Sequence, residues 1–195
     1  MADEKGVAFW VWFRTNEEML FEFERDRERV FDLLQAELQK VDSRLAFEFG
    51  PIRDGIWREF VISADGIRDA FPAVERLFAQ APTLDRWKFV KFRPRHRPMI
   101  ISMHNRDFDP AEVHFRLFRD GAKIGIMLFF ESYNDQERRL FAQIGYLMLD
   151  QALGEFTVET EVGFIDFADR TSKFFDIELP LPLLAHEFDA ALINE

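Results

Sequence analysis

The chain has 195 residues, with 36 acidic side chains against 25 basic ones and a net charge of −11. It contains no cysteine, which excludes a disulfide scaffold, a thiolate metal centre and a cysteine nucleophile. Hydrophobic residues are 48% of the chain and charged residues 31%, a globular mixture whose acidic balance opposes nucleic acid and anionic membranes.

The N-terminal segment has no basic region ahead of a long apolar run, and no window approaches the ~18 uncharged apolar residues of a membrane span. A soluble cytoplasmic protein is expected. There are 24 Phe but only 2 Tyr. Phe has no polar group to keep in water, so this bias predicts an aromatic core.

Val7 to Arg14, rich in Phe, Trp and Val, reads as a strand. Thr15 or Asn16 then caps a helix reaching about Val41, with Leu20, Phe23, Val30, Leu34 and Leu38 on its apolar stripe. Leu45, Phe47 and Phe49 alternate as a strand, and Phe60-Val61-Ile62 returns after the turn signal Asp54-Gly55. Phe71-Pro72 opens a helix that Pro82 stops, and Trp87 to Phe92 is a further strand. This order, β-α-β-β-α-β, is ferredoxin-like.

Residues 93–110 connect the halves, with room for one edge strand. Val113–Phe118 and Ile124–Phe130 form a second hairpin around Asp120-Gly121. Asn134 and Glu137 make a capping pattern for a helix buried through Leu140, Phe141, Ile144, Leu147 and Met148, and Gly154 ends it. Phe156–Phe167 reads as a long strand, and Pro180 and Pro182 introduce a last helix. The second half is thus ββαβα. The fold expected is α+β, with two packed layers of antiparallel sheet and helices. Its halves, 1–97 and 98–195, form one compact unit. A ββαβ order recurs at 45–92 and 113–167, which suggests a pseudo-twofold repeat.

Two segments concentrate chemistry. Residues 86–106 hold Arg86, Lys88, Lys91, Arg93, Arg95, Arg97 and Arg106 and no acid, so the remainder of the chain carries −18. Arg93, Arg95 and Arg97 stand two apart on an extended stretch stiffened by Pro94 and Pro98. That spacing makes them candidates to grip a carboxylate or phosphate, unless acids of the same chain already fill them. Between His104 and His114, five metal-ligating side chains fall within eleven residues, and His104, Glu112 and His114 are the candidate ligands. Their spacing matches no metal motif, so no cofactor is expected. Nucleophile elbows, phosphate loops and dinucleotide fingerprints are absent from the sequence.

The run Arg58–Arg95 carries Ile62-Ser63-Ala64-Asp65-Gly66, Phe71-Pro72-Ala73-Val74, Ala81-Pro82, Trp87 and Phe92-Arg93-Pro94-Arg95. It resembles a segment of uncharacterised bacterial proteins that share a domain of unknown function. The resemblance implies a small α+β fold and brings no established activity. Two readings stay open. One is a non-enzymatic binding or regulatory module that recognises another protein, with a homodimer compatible. The other is an enzyme or small-ligand binder holding an anionic group in a cleft between the halves.

Overall fold

Gly6, Phe9, Trp10 and Phe13 recur at the spacing of one helical face. In the computed structural model, which describes residues 4–175 and 179–193, they form the buried side of helix α1 (Glu4–Thr15). The strand expected over Val7–Arg14 is therefore a helix. The segment is apolar all round, because Val7 and Val11 lie on the exposed side, and this hides the helical period behind strand-forming residue types.

The chain divides into two compact units, Met1–Arg93 and Pro94–Glu195. In the first, the single helix expected up to Val41 is broken. Helix α2 (Glu17–Phe21) passes through a 3₁₀ turn (Phe23–Arg25) into α3 (Arg27–Val41). Leu20, Phe21 and Phe23 are all buried, which one regular helix face cannot supply, and Asp26 leaves helical geometry at φ −152°.

Strands β1 (Ala46–Phe49) and β2 (Arg58–Ser63) pair antiparallel around the Asp54-Gly55 turn, where both residues have positive φ. Helix α4 (Phe71–Phe78), with Pro72 in its first turn, leads to β3 (Trp87–Lys91). The helical crossover lays β3 parallel to β2, so the sheet is mixed, in the order β1-β2-β3. With α1 helical, this unit has three sheet strands among its described residues and lacks the opening strand of the ferredoxin-like order. The aromatic core is present. Phe13 packs 5.0 Å from Phe60 and from Trp87, Trp10 lies 4.6 Å from Phe89, and Trp10 Nε1 donates to the Leu77 carbonyl at 2.8 Å.

The second unit opens with a small hairpin, β4 (Ile101–Met103) and β5 (Arg106–Phe108). Its main sheet comprises β6 (His114–Asp120), β7 (Lys123–Phe129), β8 (Val162–Ala168) and β9 (Leu179–Pro180), in the order β8-β7-β6-β9. Helices α5 (Arg138–Leu153) and α6 (Glu155–Glu161) connect β7 to a parallel β8. Asn134 Oδ1 accepts from the Glu137 backbone N–H at 3.1 Å, as the capping pattern predicts. Gly154, at φ 79°, ends α5 in a conformation that suits glycine. Helix then resumes at once, so the long strand expected from Phe156 begins only at Val162. Helix α7 (Leu184–Ile193) buries Leu184 and Phe188 in this unit's core.

The fold is α+β. Each unit repeats one connectivity, an antiparallel hairpin, a helical crossover and a strand parallel to the hairpin's second strand. The main sheet of each unit is mixed rather than purely antiparallel.

Candidate recognition surface

Six of the seven cations of the basic run pair with acids of the chain. Within the first unit, Arg86 pairs with Glu18, Lys88 with Glu59 and Lys91 with Glu75. Arg93 bridges Glu48 on β1 and Asp65 in the turn after β2, and its side chain is only 22% exposed. Burial opposes the Arg93 charge. The hydrogen bond to Asp65 and the Glu48 charge outweigh that and hold the guanidinium above its ordinary pKa. In the second unit, Arg106 pairs with Glu137. Arg95 holds both oxygens of Asp189 on α7, at 2.9 and 2.8 Å, and donates to the Leu153 carbonyl. Arg97 is exposed. The expected three-fork anion grip therefore has two of its forks on internal carboxylates, supplied by β1, a turn and α7 rather than by the first helix.

The candidate metal ligands sit in three different settings. His104, with Asn105, forms the two-residue turn from β4 to β5, and both have positive φ. Glu112 lies exposed in the loop before β6. His114 is on β6, 3.4 Å from the Arg170 guanidinium and edge-on to the Phe175 ring. Among the described residues, no group of three or more His, Asp or Glu is placed to hold a metal ion. Sequence proximity between His104 and His114 is thus not carried into a ligand set.

Arg58 is a buried cation that the sequence reading passes over. It is fully buried on β2, with its guanidinium 5.0 Å and 4.6 Å from the Phe21 and Phe23 rings. Its Nη2 donates to both oxygens of Glu24, at 3.0 and 3.2 Å. Nε and Nη1 have no hydrogen-bond partner, and neither has the buried Nε1 of Trp87, its register neighbour on β3. The signal was available, because Arg58 shares strand parity with the core residues Phe60 and Ile62.

The exposed edge that carries solvent-facing aromatic side chains is that of β8. This seven-residue strand ends the sheet of the second unit, and among the described residues no strand pairs with its outer side. Its register with β7 slips between Ile124↔Val162 and Ile126↔Ile165, so Gly163 and Phe164 both stand opposite Gly125. That is a β-bulge, which re-aims the bulged side chain. Phe164 is 40% exposed, and Tyr146 of α5 is 47% exposed with its ring 6.3 Å from that of Phe167 on β8. Beyond the bulge, Ile165–Ala168 runs in regular register with Ile126–Phe129.

A groove of about 390 Å³, bounded by β6, Leu179 and α7, is lined mainly by apolar side chains with Arg116 and Glu187. No described helix is long and apolar enough to cross a membrane. A scan against protein-family models finds no match, and comparisons with curated proteins and with solved structures find none either.

Proposed function

We propose that the chain is a non-enzymatic module that recognises another protein and that its contact surface is the outer edge of β8. The observation that carries this reading is a sheet edge of seven residues flanked by exposed aromatic side chains, Phe164 on β8 and Tyr146 on α5. An unpaired edge presents a row of backbone donors and acceptors, which an extended segment of a partner completes as an added strand. Exposed aromatic rings beside it supply apolar area at small entropic cost. The occupied forks of Arg93 and Arg95 support this reading over an anion-gripping one.

Site-specific photo-crosslinking tests it. A photoreactive residue at Tyr146, in extracts of the native cells, gives a discrete protein adduct that the same probe at Glu28 on α3 does not give. No adduct from Tyr146, or identical adducts from both positions, contradicts the reading.

A further inference from the structure

We propose that helix α1 pairs with α1 of a second copy of this chain, antiparallel and about a twofold axis. This surface is independent of the β8 edge. A helix that is apolar all round is normally covered on every side. One side of α1 is buried in the first unit through Gly6, Phe9, Trp10 and Phe13. On the other side Val7 and Val11 are 46% and 62% exposed, and Ala8 is exposed beside them.

The ends of this outer stripe decide the occupant. Glu4, Val7, Val11 and Arg14 are spaced three, four and three residues apart, which sets them on one helix face with the acid first and the base last. Among the described residues neither Glu4 nor Arg14 forms an ion pair. The level of Phe9 lies halfway between Glu4 and Arg14, and also halfway between Val7 and Val11. A second α1 turned end over end about that level sets Val7 of each copy against Val11 of the other. The same register sets Glu4 of each copy against Arg14 of the other, so both pairs are met at once, as an isologous interface requires. Parallel pairing would instead oppose like charges at both ends. Valine and alanine side chains are short, so the axes approach to roughly 8–10 Å, and antiparallel macrodipoles favour the same sense. Exposed ion pairs add little affinity, so the charges set direction while the valines supply the burial. One helix pair is smaller than a standard interface and each copy carries −11, so the dimer is weak.

Analytical ultracentrifugation of the full chain tests this. The weight-average mass should climb from one chain toward two as concentration rises through roughly 100 µM, the weak range for so small an interface. Val11→Glu should weaken association about tenfold or more, because it places a charge at the apolar centre. Glu4→Arg and Arg14→Glu should each weaken it alone. An equimolar mixture of those two variants should associate again, because every facing pair is then opposite in charge. All three positions are exposed, and circular dichroism checks that the variants keep the fold. A chain that stays monomeric at every concentration, even if α1 then captures another protein or a lipid vesicle, overturns the inference. So does a dimer as tight in Val11→Glu as in the wild type, or a pair of charge variants that mixing fails to rescue. The adduct at Tyr146 is read separately, so the β8 reading and this one fail by different results.

Discussion

The Phe164 ring packs against Gly125 on the neighbouring strand, so closely that a Cβ on Gly125 would overlap the ring carbons Cδ1, Cε1 and Cζ. The two residues belong together because the bulge places Phe164 opposite that glycine. Gly125→Ala should therefore destabilise the protein by about 1–3 kcal/mol, the range for overpacking a filled site. The same substitution in a Phe164→Ala background should cost much less. Urea unfolding of the double-mutant cycle measures the difference, and additive costs would show that the ring does not set the demand for glycine.

Arg58 and Glu24 make a second test. Two buried nitrogens of Arg58 lack partners, so its charge is held mainly by one carboxylate and two aromatic faces. Replacing a buried ion-pair member by an apolar residue of similar volume is often neutral or stabilising, whereas removing only its counter-charge is costly. Arg58→Met should change stability by less than about 1 kcal/mol, and Glu24→Ala should destabilise by about 1–3 kcal/mol. Chemical denaturation in which Arg58→Met is the more damaging of the two would contradict this account.

Asp42 gives a pH-dependent prediction. It accepts from the Arg44 Nε and Nη2 and from the Arg44 backbone N–H, closing the turn between α3 and β1. The Arg44 hydrogen bond holds its carboxyl down at about 2, from an ordinary 3.8. A depressed folded-state value means that the contribution is present above pH 3.8 and fades as pH falls toward 2. An NMR titration of the Asp42 carboxyl should show a midpoint near 2, moving up toward 3.8 in Arg44→Ala. An unchanged midpoint in the variant would remove Arg44 as the cause.

Arg93 joins Glu48 to Asp65 within the first unit, so its role is predicted to be structural. Arg93→Ala should lower stability by about 1–3 kcal/mol, as expected when a part-buried charged partner is lost. Inorganic phosphate should stabilise the wild type no more than chloride at equal ionic strength, measured by thermal unfolding. A phosphate-specific rise in Tm that vanishes in Arg93→Ala would restore the anion-binding reading.

What the sequence disclosed and what it hid follow from the range of the forces. The Asp54-Gly55 and Asp120-Gly121 turns, the Asn134 cap and the Gly154 stop are local backbone chemistry, legible from a few residues. Helix α1 was not legible as a helix, because its apolar faces are decided by contacts with Phe60, Phe89 and Leu77 far along the chain. The break between α2 and α3 follows from Phe21 and Phe23 closing on Arg58, again a distant residue. The basic run drew attention in the sequence, but its partners were invisible there, since Arg95 and Asp189 lie 94 positions apart. The edge of β8 emerges only when the strand takes its place at the end of the sheet.

Hydrogen exchange along β8 tests the central claim most directly. The full chain, free and bound to the partner captured by crosslinking at Tyr146, is compared amide by amide. Strand addition engages the outward-facing N–H groups, so amides within Ile165–Ala168 should slow by about tenfold or more, with α3 unchanged and with Phe167 least affected, because its N–H already donates to Asp166 Oδ1 at 2.9 Å. Protection that leaves Ile165–Ala168 untouched and appears elsewhere would contradict the account.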